Sequence, residues 1–326
     1  MRQNRFFAFC LTGLLVAAST PALSEVRLRA VAPFDPGHVM VQSFKKFIAK
    51  VNAEGKGVVQ IDYVGGPEVI PANEQGNAVG KGFVDIQEGP ASYYLGQVPG
   101  GDAVFAYKGT PTDLRKNGAT EILSEHWIKK LNANLLAIPD SGLSNMLYFS
   151  VAPKIKENGD LDLSGMKIRI TPTYREVVQH FGGVGVSISA GDVYTALKRN
   201  IVQGVGWPSV AVADADWHEF AKYRLEPGFL TGAYVMIINH DKWQSLPDDA
   251  KRLLTRAAAE WEIESKKFME DQEAKETKEL VKKGMKIIKL SPDATKRYLD
   301  FAYEVAWGRL RKKDPELAAK LKGKAY

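Results

Sequence analysis

The chain of 326 residues carries a single cysteine, Cys10, inside an apolar stretch close to the first methionine. Beyond that stretch there is no residue for a disulfide, a thiol nucleophile or a thiolate metal site. Other chemistry-bearing patterns are missing too: no HExxH, no GxSxG nucleophile elbow, no GxxxxGK(S/T) phosphate loop and no GxGxxG after a strand. The five histidines (His38, His126, His180, His218 and His240) are scattered, without a carboxylate-flanked pair. "FGGVGVS" is glycine-rich, but its spacing fits a helix cap turning into a strand rather than a phosphate cradle. Asp248 and Asp249 stand where a helix begins, and there they favour the helix dipole. Nothing here assembles a catalytic centre, so the expectation is a protein that is not an enzyme and needs neither metal nor cofactor.

Charge of one sign is also scarce. Removing Arg2 and Arg5 with residues 1–24 takes the 44 Lys+Arg to 42, against 38 Asp+Glu, and much of the remaining excess lies in the last twenty or so residues. That balance is too mild and too terminal for a nucleic-acid partner. Long apolar runs are absent after the first residues. The run Phe6 to Ala18 has 13 residues, short of the roughly 17–25 that span a bilayer as a helix. With Arg2 and Arg5 before it and "STPALS" after it, the segment reads as a secretory signal, cleaved near Ser24/Glu25. Phe9 precedes Cys10, where a lipid-attachment site needs a small residue. The expectation is therefore a soluble, exported protein of about 300 residues, stabilised by its core alone and divided into two domains.

What is present is an alternation of strands and helices. "EVRLRAVA" alternates like a strand, and "VMVQSFKKFIAKVNAEG" places Val41, Phe44, Ile48 and Val51 on one helical face before Gly55. "VVQIDYV" and "FVDIQEG" read as further strands around the rigid loop "GGPEVIP". Between Ser164 and Pro208 the alternation resumes through "MKIRI", "YREVVQHFG", "GVGVSIS", "GDVYTALKRN" and "IVQGVGW". "TGAYVMIINHDKWQSL" holds one more strand. From Pro247 to about Lys283 no Gly or Pro interrupts a helical stripe of Leu254, Ala257, Trp261, Ser265 and Phe268. The stripe turns polar at Gln272, which disfavours a coiled coil. A helix of that length, about 50 Å, is long enough to brace two small domains. The fold class expected is α/β, with two domains, hinge strands and a cleft able to close.

One strand stands out. In "LSGMKIRITPTYREV", Met166, Ile168 and Ile170 alternate with Lys167 and Arg169, so one face is apolar and the other cationic. "LSGMKIRI" followed by "GGVGVSISAGDVYTALKRNIVQGVGWP" resembles the signature of the periplasmic solute-binding proteins of TRAP transporters, the DctP-like family. "HVMVQSFKKFIAKV", "GGPEVIP" before "GFVDI", and the helix after "LPDDAKRLL" extend the likeness over nearly the whole exported chain.

The resemblance implies a periplasmic-binding-protein-like fold: domain I from 25–147 plus about 232–265, domain II from 148–231 plus about 266–326, and the helix at about 247–283 crossing both. It also implies capture of a small organic acid for a membrane permease of small and large subunits, by a monomer or a homodimer. Arg169 matches the family's carboxylate-binding arginine. Its guanidinium is a planar, permanently charged fork that can pair bidentately with a carboxylate.

Elsewhere the chain departs from the sialic-acid-binding members. Trp207 replaces an asparagine, Ala190 an aromatic, and "SGLSNMLYFS" offers Asn145 and Tyr148 in place of a second arginine. Those exchanges point to a monocarboxylate with an apolar or aromatic body, or a keto/hydroxy acid, with Trp207 stacking on it. Phe34, His38, Glu68 and Tyr93, in loops at strand ends, complete the candidate site. Asn200 is given a structural role at a left-handed helix end. The rival readings are a binding protein for another importer or a sensor, and an exported carboxylate-processing enzyme.

Overall fold

A computed structural model describes residues 25–232 and 234–325. The expected signal segment, with Cys10, lies outside the described residues. The first strand, Val26–Val31, buries Leu28, Ala30 and Val31, and pairs in parallel with Val59–Gly65 on one side and Ile86–Pro90 on the other. Tyr234–Asn239 then runs antiparallel between Ile86–Pro90 and Ala133–Ala137, completing a five-stranded sheet. The helix Val39–Glu54 covers one face with Val41, Phe44, Phe47, Ile48 and Val51. Helices Pro111–Lys116 and Ala119–Leu131 cover the other.

A second sheet has six strands in the order Lys286–Lys289, Tyr223–Thr231, Ser144–Phe149, Gly204–Pro208, Lys167–Ile170, Val184–Ser187. Its last three strands are mutually parallel, whereas Ser144–Phe149 is antiparallel to both its neighbours. The helix Val193–Lys198 precedes Gly204–Pro208 and ends on Asn200, whose φ of +52° is the left-handed conformation that stops it.

The passages between sheets differ from expectation in two places. Ser144–Phe149 belongs wholly to the second sheet, so the first passage runs through 138–143 rather than after residue 147. The chain's last part also does not stay with domain II. The helix Pro292–Lys313 starts against the second sheet with Ala294, Tyr298 and Ala302, then buries Ala306, Trp307 and Leu310 against the first. The helix Pro315–Leu321 packs there as well, because its apolar residues Leu317, Ala318 and Leu321 match that surface.

The long helix is Asp248–Lys282, with Asp248 and Asp249 in its first turn and Gly284 at φ +93° just beyond its end. It is tied to both units by its own polar residues. Glu262 accepts from Arg115 at 2.6 and 2.9 Å and from the Ile138 backbone at 2.8 Å, all in the first unit. Ser265 accepts from the Asp140 backbone in the passage between sheets. Glu276 accepts from the backbone N–H groups of Val212 and Ala213, both at 2.8 Å, in the second unit. No helix among the described residues is long and apolar enough to cross a membrane.

Candidate functional site

The carboxyl ends of four strands converge on one cavity between the two sheets, where open α/β sheets place their ligands. The space there, about 380 Å³ with the part that opens to solvent, is lined by Phe34, Pro90, Ser92, Tyr93 and Phe105 from the first unit. Asn145, Arg169, Thr171, Tyr174, Trp207 and Pro208 come from the second, Gly232 from the passage between them, and Tyr234 from the start of a first-sheet strand. Six of these thirteen residues are aromatic and only Arg169 is charged.

Strand alternation puts Arg169 there. Ile168 and Ile170 enter the core beneath the second sheet, so the residue between them must face the other way. Lys167 shares that face but sits at the strand's exposed end, whereas Arg169 is 2 % exposed. The guanidinium is held by neutral groups. Nε donates to the Ile188 carbonyl at 3.0 Å, and Nη1 donates to the Gly206 carbonyl at 3.0 Å and to the Tyr174 hydroxyl at 3.4 Å. Its carbon lies 5.2 Å from the centre of the Trp207 ring. Among the described residues no carboxylate pairs with it and Nη2 finds no acceptor. A buried charge left uncompensated costs several kcal/mol, so this one is set to take an anion.

Tyr174, which the sequence reading missed, fixes the arginine's seat. Its hydroxyl donates to the Gly206 carbonyl at 2.6 Å while accepting from Arg169. A Cβ at Gly206 would lie 2.2 Å from the Tyr174 ring, so only glycine fits. The cue available in sequence was the position of "TPTY", directly after the arginine strand and thus at a strand's carboxyl end. Tyr234 gave no such cue, because it opens a strand of the other sheet.

Of the eight residues expected at the site, five line the cavity: Arg169, Trp207, Asn145, Phe34 and Tyr93. Three do not. Tyr148 shares the Arg169 face, since Val205 is paired with both, but it is set back from the strand end at which Asn145 meets the cavity. It is buried on the long-helix side, where its hydroxyl donates to the Pro208 carbonyl at 3.3 Å. Glu68 is exposed and closes its own turn, accepting from the Gly66 N–H at 2.7 Å, a bond that holds its carboxyl below the usual range. His38 stands behind the wall, stacked on Phe34 at 4.3 Å, with Nδ1 accepting from the Met40 N–H that opens the helix. Burial lowers its pKa to about 4, so the ring is neutral.

Trp207 has a different neighbour from the one expected. Its indole N–H donates to the Val210 carbonyl at 3.1 Å, Trp217 packs edge-on at 4.8 Å, and the Arg169 guanidinium sits over its ring. The indole is thus a platform for the arginine. Phe34 meets Tyr93 at 6.3 Å and Tyr234 at 6.5 Å, forming the aromatic wall on the first unit's side.

Comparison with known proteins identifies the family. The model of the bacterial extracellular solute-binding proteins, family 7 (DctP), matches residues 32–306, and the chain belongs to that family. A solute-binding protein of Albidiferax ferrireducens is 24% identical over 285 residues, covering 81% of this chain and 79% of its own. Among solved structures, DctP7 of Bordetella pertussis, an extracytoplasmic solute receptor binding pyroglutamic acid, superposes with a TM-score of 0.77 at 17% identity, covering 90% of this chain and 98% of its own. A TRAP periplasmic solute-binding protein of Desulfovibrio salexigens with bound orotic acid gives 0.77 at 16% identity, covering 91% and 98%. At such identities the structures establish the fold alone, two α/β units.

Proposed function

We propose that this chain is the extracytoplasmic receptor of a TRAP transporter. It captures a monocarboxylate with an aromatic or apolar body, or a keto/hydroxy acid, in the cavity between its units, and hands it to a membrane permease of small and large subunits. Residues 1–24 direct its export to the periplasm, and it turns over no substrate. One observation carries the reading: Arg169 is buried, seated by neutral acceptors and without a counter-ion among the described residues, in a cavity otherwise lined by uncharged groups. Each charge-assisted hydrogen bond contributes roughly 1.5–3 kcal/mol, so two supply much of the −8 kcal/mol of a micromolar complex. The acids held by the solved relatives, pyroglutamic acid and orotic acid among them, are of the same broad class.

The test is a thermal-shift screen of organic acids, followed by titration of the best binder. Binding to the native state alone stabilises by about 2.7 kcal/mol at a hundredfold excess over the dissociation constant. Arg169→Lys, which keeps the charge but loses the fork, is expected to weaken that acid at least about tenfold. The unliganded protein should lose far less. Equal affinities for variant and wild type would put Arg169 outside the site.

A further inference from the structure

The cavity's hydrogen-bonding inventory is one-sided. Arg169 Nη2 is unpaired, and so are two phenols in the same wall. Tyr93, in the turn Ala91–Tyr94, and Tyr234, at the start of Tyr234–Asn239, have no hydrogen-bond partner for their hydroxyls among the described residues. Burial raises both, Tyr93 to about 12, so both are neutral donors. Among the described residues no carboxylate lines the cavity. The acid nearest in sequence, Glu88 on the strand leading to Tyr93, is buried, and burial together with Asp140 pushes its pKa well up.

Resting on the reading above, we propose that Tyr93 and Tyr234 determine specificity. They select a flat-bodied carboxylate with a neutral acceptor atom, such as a carbonyl oxygen or ring nitrogen, on the position next to the carboxyl group, and they exclude 2-amino acids. The carboxylate neutralises Arg169 and the phenols donate to the neighbouring acceptor. Phe34, in ring contact with both tyrosines, flanks the body.

Two magnitudes decide the matter. An acid lacking the acceptor leaves desolvated phenols unpaired, at about 1–3 kcal/mol each, which is roughly tenfold or more in affinity. A 2-amino acid brings an ammonium beside the guanidinium, and its one carboxylate cannot neutralise both. The leftover buried charge costs several kcal/mol. Attraction to the aromatic rings returns only about 0.5–2 kcal/mol.

The experiment uses three acids of one skeleton that differ only at that position: phenylglyoxylate, phenylacetate and phenylglycine. Titrated into wild type, phenylglyoxylate is expected to bind about tenfold or more tighter than phenylacetate, with phenylglycine undetectable where phenylacetate saturates. Tyr93→Phe and Tyr234→Phe should each narrow that gap, weakening phenylglyoxylate while phenylacetate, relieved of an unpaired phenol, binds no more weakly than before. The proposal is overturned if phenylglycine matches phenylglyoxylate, if either variant weakens both acids equally, or if pyruvate binds while none of the three does. Should no carboxylate of any kind bind, the receptor reading beneath it fails instead.

Discussion

At the residue scale, Trp207 shows how contact geometry redistributes roles that sequence assigns by residue type. A tryptophan beside an arginine in a cleft invites the thought that the indole receives the ligand. Here the guanidinium occupies the space over the ring, and the indole's remaining edges meet Trp217 and Phe34. Trp207→Ala is therefore expected to weaken aromatic and aliphatic acids by a similar factor, since it unseats Arg169 rather than removing a stacking surface. Parallel titrations with phenylacetate and a straight-chain acid check this, and a loss confined to the aromatic acid would return the indole to the ligand. Arg169 itself was legible because strand alternation is local. Tyr148 was misplaced because alternation gives the face a side chain takes, here Arg169's own, and not how far along the strand the cavity reaches. Glu68 and His38 were misplaced because a polar side chain in a loop can accept from the neighbouring backbone instead of facing a ligand, as these two do.

At the scale of elements, the long helix was nearly complete in the sequence. The absence of Gly and Pro between Pro247 and Lys283 delimits it to within a residue at each end. Its bracing role was legible from length alone, but the residues that perform it were not. Two sets of ion pairs on this helix differ in consequence. Glu262 is buried and takes the Arg115 fork together with a backbone N–H. Lys50 meets Glu260 and Glu264, both at 3.0 Å, on the surface. Glu262→Gln leaves Arg115 without its partner and is expected to cost about 3 kcal/mol. Lys50→Ala should cost about 0.5 kcal/mol, because water screens exposed pairs. Urea unfolding of both variants checks the contrast, and equal costs would show that Glu262 does not anchor the helix. The strand Tyr223–Thr231 escaped notice because Pro227 and Gly228 break its alternation, and its pairing indeed shifts register between Leu225 and Phe229. Nor could pattern tell which sheet the last helices cover, since an apolar stripe states that a face is buried and not against what.

At the scale of the whole molecule, the units are joined by two extended passages and two helices, and Arg309 adds a polar link. It donates to Asp102 of the first unit at 2.6 Å and to Glu176 of the second at 2.7 Å. The passage at 138–143 carries an unusual load. Asp140 is fully buried, accepts from the Ser43 hydroxyl at 2.7 Å, and has its other oxygen unpartnered, as has Glu88 on the neighbouring sheet. Burial raises Asp140 to about 7, and burial together with Asp140's charge raises Glu88. Unfolded, both titrate near the ordinary 3.9–4.3 or so. Between about pH 4 and pH 7 the native state therefore binds protons that the unfolded chain has released, and stability must fall as pH rises through that window. The fall eases once Asp140 has ionised. Asp140→Asn carries no such proton, so its stability relative to wild type should improve progressively from pH 5 to pH 7 and level off above. Urea midpoints of both proteins across that range measure the difference. A constant offset at every pH would mean that Asp140 ionises as freely in the folded chain as in the unfolded one, and that the passage between the units is not held by a protonated carboxyl.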